Sequence, residues 1–356
     1  MTKDEANKFY LDKRVLITGH SGFKGSWMVK VLNLLGAKVF GISNKSISKN
    51  RQWSEPNDLE GEAFADITDF KGIRQAVEEF RPEVVFHLAA KAITLSSYDE
   101  PLDTFNTNAM GTANLLESIR VASHDCRVVI VTSDKCYENQ NWAWGYRETD
   151  GLGGKDPYSA SKSLAEIIAS SYQRSYFSEE GKIRLCTCRA GNVIGGGDWN
   201  DLRIIPDCFK AWYEQKAIVL RNPHSVRPWN HVFDVLWGYL SSAFYLDQPS
   251  VNGEAFNFGP ELNVQMEVES LVQSLWTYSG FSGFNPYKIE QVESGREHRY
   301  LRLSSEKARS TLNWQSTLTI NEAIKLTAHW YVIFHNEPDE INAFSNQSLN
   351  EYLLSK

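Results

Sequence analysis

The sequence lacks any apolar run near the ~20 residues that a membrane-crossing helix needs, and Met1–Arg14 is charged and polar where a secretion signal would carry an apolar core. Basic residues are in deficit, with 37 Lys and Arg against 44 Asp and Glu. The resulting net charge of −7 argues against a nucleic-acid partner, which needs an extended basic surface, but leaves room for a basic pocket around one phosphate-bearing ligand. The five cysteines, Cys126, Cys136, Cys186, Cys188 and Cys208, are odd in number and match no zinc spacing. The eight histidines are scattered, and none stands at ligand spacing from another or from a cysteine, so no metal site is expected. Cys186 and Cys188, two apart on a strand-like stretch, read as a buried pair rather than a redox couple. No repeat or low-complexity tract is present. These absences point to a cytoplasmic protein with reduced thiols, no membrane and no nucleic acid.

What is present suits a sizeable core: 356 residues, 42% hydrophobic and 23% charged. Strand-like stretches at Arg14–Thr18, Lys38–Ile42, Glu83–Leu88, Arg127–Thr132 and Ile183–Cys188 alternate with helical patterns, the longest from Pro157 to Phe177. Short, mostly apolar strands between helices predict an α/β fold of Rossmann type, a doubly wound parallel sheet. Residues 11–190 are expected to form that dinucleotide-binding domain, with a segment near 229–258 returning to it. Glycines then cluster from Gly191 to Gly197, and the pattern changes. Residues 191–228 and 259–335 are expected to form a smaller substrate domain, and 336–356 a polar tail.

Thr18-Gly19-His20-Ser21-Gly22-Phe23-Lys24-Gly25 places three glycines at G-x-x-G-x-x-G spacing between a strand and a helix. Glycine lets the backbone approach a pyrophosphate, and the helix N-terminus offers it free N–H groups. A lone glycine motif is weak, and the flanking elements are what make it count. The second strand runs into Ser43-Asn44-Lys45, without the acidic residue that holds the ribose diol of NAD, so this region alone leaves NAD and NADP open. Asp66, beside Ile67, stands where it reaches either an adenine or its own turn.

Tyr158 and Lys162 form a Y-x-x-x-K pair on one helical face. A nearby ammonium favours the phenolate, so the pair can take a hydroxyl proton while a nicotinamide takes the hydride. Thr132-Ser133 ends a strand, and Asp134 and Lys135 follow directly. Strand C-termini are where an open parallel sheet binds ligands. The Asp-Lys dipeptide there is either a second acid-base couple or a solvated turn with an ion pair.

These features together resemble the extended short-chain dehydrogenase/reductase family. Phe86-His87-Leu88-Ala89-Ala90 and Thr107-Asn108-Ala109-Met110-Gly111-Thr112 match its cofactor-side segments. The glycine turn through Trp27, Thr132-Ser133-Asp134-Lys135-Cys136-Tyr137, Arg189 through Trp199, and Arg227-Pro228-Trp229 resemble, more narrowly, its CDP-glucose 4,6-dehydratases. The resemblance spans about residues 12–310. It implies NAD as cofactor, bound by Gly19, Gly22, Phe23, Lys24, Gly25, Asp66, Ile67, Ala89, Ala90, Asn108, Tyr158 and Lys162. It also implies a reaction. Tyr158 takes the proton of the carbon 4 hydroxyl as hydride leaves, Ser133 binds that oxygen, and Lys162 holds the nicotinamide ribose and tunes Tyr158. Lys135, as a neutral amine, takes the carbon 5 proton. Asp134, starting protonated, supplies the proton to the departing carbon 6 hydroxyl. Related dTDP-glucose dehydratases carry Glu where this chain has Lys135. Asn192, Arg203, Arg227 and Arg296 are the candidates for the nucleotide end, since an Arg fork suits a diphosphate. Trp199 and Trp229 pack either on substrate or in the core.

One stretch departs from the family pattern. His-Leu-Ala-Ala is usually followed there by Gln-Pro and an Arg near Ser-Tyr, whereas this chain has Lys91-Ala92-Ile93-Thr94-Leu95-Ser96-Ser97-Tyr98. That loop lies beside the sugar in relatives, so the departure bears on substrate choice. The nearest rival is a nucleotide-sugar 4-epimerase, which shares Tyr158 and Lys162 but needs no couple for carbons 5 and 6. A non-catalytic NAD(P) sensor on the same fold is the reading from another class. Relatives dimerise through two long helices, here those around Met110–Val121 and Tyr158–Phe177, which implies a homodimer.

Overall fold

The computed structural model describes residues 1–44, 59–177, 181–261, 266–290 and 301–356. Helix α1 (Lys3–Tyr10) precedes six strands: β1 (Arg14–Thr18), β2 (Lys38–Ser43), β3 (Gly61–Phe64), β4 (Val84–His87), β5 (Cys126–Val131) and β6 (Ile183–Ala190). With a seventh strand, Ala255–Phe258, they form one parallel sheet in the order Ala255–Phe258, β6, β5, β4, β1, β2, β3. The period of two feeds two cores. Val15, Ile17, Val84, Phe86, Val129 and Val131 face one, and Leu16, Val85, Val128 and Ile130 face the other. Both faces are covered, which is why these strands are apolar throughout rather than alternating.

Helix α2 (Phe23–Leu34) packs into the first core, while α3 (Phe70–Phe80), α6 (Gly111–Ala122) and α7 (Pro157–Tyr176) contribute to the second. Between β4 and α6 lie α4 (Thr94–Asp99), α5 (Pro101–Phe105) and a single π-turn, Asn106–Met110. The chain runs outward from β1 to β3, then crosses back to β4 on the other side of β1. That reversal opens a crevice at the strand C-termini. The later segments close over it: helix Ile204–Tyr213, helix Val232–Tyr245, buried from Val232 to Ala243, and short strand pairs such as Asn230–His231 with Val193–Ile194.

Residues 336–356, expected as a polar tail, form a docked helix, Ile341–Leu354. Its Ile341, Ser345, Leu349 and Tyr352 recur at helical spacing and are buried. Polar anchors secure it: Lys30 Nζ donates to Asn342 and Asn346, Trp330 to Ser345, and the Tyr352 hydroxyl to Asp234. Among the described residues no helix is long and apolar enough to cross a membrane, and no cluster of His, Cys, Asp and Glu could hold a metal ion. All five cysteines are free and buried.

Candidate active site

A cavity of about 780 Å³ opens at the C-terminal ends of β1, β4, β5 and β6. The glycine turn with Phe23 and Lys24, the Ser133-Asp134-Lys135 segment, and Tyr158 and Lys162 of α7 all line it. From the second half of the chain Asn192, Arg203, Arg227 and Trp229 line it too. Arg296 and Lys45 lie outside the described residues. Trp199 packs against Trp330, Tyr331 and Phe334 and so takes the core role.

The glycines are required by space. Gly19 has φ +74°, and a Cβ there would lie 2.8 Å from the Ala89 backbone. A Cβ on Gly25 would lie 2.1 Å from the Gly19 carbonyl oxygen. Helix α2 begins at this turn with no side-chain cap and no acidic residue in its first turn, which leaves its positive end for an anion. Thr18 holds the neighbouring loop. Its hydroxyl accepts from the Ala89 N–H at 3.2 Å and bonds His87 Nδ1 at 2.7 Å, and His87 Nε2 reaches Thr112 at 3.1 Å. Burial, then the Lys162 charge, pushes His87 down to about 3, so this imidazole is a neutral link.

Of the other cofactor-side candidates, Ala90 lines the cavity, while Asp66, Ile67, Ala89 and Asn108 sit off its wall. Asp66 accepts from Asn44 Nδ2 at 2.9 Å and from the Thr68 N–H and hydroxyl at 2.9 and 2.7 Å. Burial opposes its charge, but these bonds hold it below the usual carboxylate range. Ile67 is buried in the second core against Gly111. Asn108, on the π-turn, bonds the Lys91 N–H and carbonyl and the Ser161 hydroxyl, pinning the departing loop to α7. Lys91 itself is turned toward Glu100 and Asp103. Ala92, Ile93, Thr94, Leu95 and Tyr98 present that loop to the cavity.

Helix α7 starts at Pro157, with Asp156 capping the Ser159 N–H, and this places Tyr158 in the first turn and Lys162 one turn on. Ser133, in extended backbone after β5, donates to Asp134 Oδ1 at 2.9 Å. Lys135 Nζ donates to Thr94 Oγ1 at 2.9 Å. Asp134 is buried, and its Oδ2 has no hydrogen-bond partner. Burial raises its carboxyl above the usual range, against the pull of Lys135, Ser133, Arg227 and Lys24, so the neutral acid is favoured.

Lys162 and Tyr158 each meet other charged and polar groups in the cavity wall. Lys162 Nζ donates to the Val131 carbonyl at 3.1 Å, and burial lowers it to about 8. Burial raises the Tyr158 hydroxyl, and the groups that oppose this are Ser133 and the Arg203 guanidinium. Lys24, expected among the cofactor-side residues, brings a further cation to the cavity. Burial, Arg203 and Lys162 lower its amine to about 7, and it donates to Tyr239 at 3.3 Å.

A buried ion pair beneath the site was missed. Glu166, one turn after Lys162, accepts from Arg189 Nε and Nη2 at 3.0 and 2.8 Å, from Thr187 at 2.7 Å, and from Thr132. Arg189 also donates to the Tyr137 hydroxyl at 2.7 Å. Arg189 was visible only as the first residue of the Arg189–Trp199 motif, and no spacing rule links it to Glu166.

A model of the GDP-mannose 4,6 dehydratase family matches residues 16–327. The chain belongs to this family. Over 352 residues, 97% of each chain, it is 37% identical to the CDP-glucose 4,6-dehydratase of Salmonella typhimurium. It is 25% identical over 321 residues to the UDP-glucose 4-epimerase of Mycolicibacterium smegmatis, covering 89% of this chain and 98% of that one. Among solved structures, dTDP-glucose 4,6-dehydratase from Bacillus anthracis in complex with NAD superposes with a TM-score of 0.75, covering 92% of this chain and 98% of that one at 23% identity. Dehydratases and epimerases are thus both among the proteins this chain resembles.

Proposed function

We propose that this chain is a nucleotide-sugar 4,6-dehydratase that converts CDP-glucose to CDP-4-keto-6-deoxyglucose with internally recycled NAD, as a cytoplasmic homodimer. The observation that carries the reading is a buried carboxyl with one oxygen unpartnered, Asp134 Oδ2, next in sequence to Lys135 in the cavity that holds Tyr158. The glycine turn fits NAD, because Gly19 and Gly25 have no room for a Cβ and its helix end is uncapped. Bound there, NAD supplies the hydride acceptor and returns the hydride. Tyr158 takes the carbon 4 hydroxyl proton, with Ser133 bonding that oxygen. The carbon 4 ketone acidifies the carbon 5 proton, which Lys135 removes and returns to carbon 5 when the hydride is delivered to carbon 6. Asp134 gives its proton to the carbon 6 hydroxyl as water leaves. Asn192, Arg203 and Arg227 hold the nucleotide diphosphate. Exposed Met110 at the end of the π-turn, Val121 on α6, and Leu164, Ile167 and Tyr176 on α7 are apolar side chains suited to a second copy.

The test is incubation of purified protein with CDP-glucose, with dTDP-, UDP- and GDP-sugars in parallel, followed by mass spectrometry. Loss of one water from CDP-glucose, abolished in Lys135→Ala, is the expected result. A mass-neutral change of sugar stereochemistry would assign an epimerase instead.

A further inference from the structure

The departing loop makes one contact with the reacting groups that the family pattern does not foreshadow. Thr94 opens α4, and its hydroxyl accepts from Lys135 Nζ at 2.9 Å. The same helix touches Tyr158. Ser97 Oγ accepts from the Tyr158 N–H at 3.2 Å while donating to the Thr94 carbonyl at 2.6 Å. The helix is anchored from behind, where Asn108 grips both backbone groups of Lys91 and the Lys91 amine pairs with Glu100 and Asp103. One short, anchored helix therefore references both Lys135 and Tyr158.

We propose that Thr94 is a positioning residue that holds the Lys135 amine over the sugar, an inference that rests on Lys135 being the carbon 5 base. A lysine carries its amine on a flexible four-carbon stem, and fixing it costs rotamer entropy that a tether supplies in advance. The chemistry of the tether matters. A base must keep its position in both protonation states. A carboxylate at position 94 could only accept and would hold the amine as ammonium. A hydroxyl accepts from the ammonium and donates to the neutral amine, so the contact survives each proton transfer. Valine, of the same shape, would offer neither.

The experiment compares Thr94→Val, Thr94→Ser and Lys135→Ala in the full-length enzyme with CDP-glucose. It reads kcat and KM for water loss, the exchange of the carbon 5 proton of the 4-keto product in D2O by NMR, and the thermal midpoint. Displacing a reacting group by about 1 Å costs about 100-fold. Thr94→Val is expected to lower kcat and carbon 5 exchange together by about 10- to 100-fold, with KM and the thermal midpoint unchanged. Thr94→Ser is expected to restore both rates. Wild-type kcat and exchange in Thr94→Val, with Lys135→Ala inactive, would overturn the role of Thr94 alone. So would a Thr94→Ser enzyme no better than Thr94→Val. Full activity in Lys135→Ala would instead overturn the assignment of the base, and the tether with it.

Discussion

The Ser133 hydroxyl donates to one oxygen of Asp134 at 2.9 Å, while the other oxygen faces Gly191 with no hydrogen-bond partner. A Cβ on Gly191 would stand 3.1 Å from that oxygen, so the glycine keeps this side open. The carboxyl is thus fixed at one end and free to donate at the other.

Asp134→Asn tests the acid. General acid catalysis contributes about 10²–10⁴-fold, and a loss of kcat on that scale is expected. Asp134 has a raised folded pKa, so its proton is present below that value and lost above it. Activity that needs this proton falls as pH rises through the raised value, and the variant lacks that limb. The same raised pKa means the native state holds this proton where the unfolded chain has released it. Stability therefore drops as pH climbs from the unfolded value to the folded one. By thermal melts, Asp134→Asn should be more stable than wild type near neutral pH and lose that advantage in acid.

Tyr158→Phe separates chemistry from binding. It removes the proton acceptor for the carbon 4 hydroxyl and leaves the glycine turn intact. A loss of about 10²–10⁴-fold in kcat is expected, while calorimetry still detects NAD binding through the glycine turn.

Gly25→Ala acts on the opposite side of that division. The new Cβ would sit 2.1 Å from the Gly19 carbonyl oxygen, and backbone on both sides must move. Overpacking of ~1–3 kcal/mol predicts NAD binding weaker by about 5- to 150-fold, read by the same calorimetry.

Glu166→Ala should unfold the enzyme more easily by ~3–5 kcal/mol, because it leaves the Arg189 guanidinium buried without its partner. Burial opposes the Glu166 charge, yet Arg189 and the Thr132 and Thr187 hydroxyls hold its pKa below the usual range. Its contribution is thus complete above the unfolded pKa and is lost as pH falls through the folded one. Denaturant titrations of wild type against variant should converge in acid.

Ile167→Arg tests the dimer. Ile167 lies exposed on α7 beside exposed Leu164 and away from the cavity. A charge there is expected to give a monomer by light scattering, while the single chain keeps its fold by circular dichroism.

Much of this was legible in the residues. The apolar runs that predicted five strands are strands, with ends differing by one or two residues, and the glycine turn and Tyr158–Lys162 pair stand on one cavity. Helix α4 was not legible, since its Ile93 cap offers no side-chain bond and its six residues are too short for a periodic pattern. The C-terminal helix was hidden because its buried face mixes Ser345 and Ser348 with Ile341 and Leu349.

The sequence by itself determined which groups stand side by side in the chain: three glycines at a strand end, a tyrosine four residues before a lysine, and an acid next to an amine. Those relations survive any packing, because covalent spacing and helical period set them. Only the tertiary structure decided protonation and aim. Burial raised the Asp134 carboxyl above its usual range, the path through Asn108 sent Lys91 outward, and α4 brought Thr94 to Lys135 across 41 positions. Desolvation and contact between distant segments are properties of the packed core, and no local pattern encodes them.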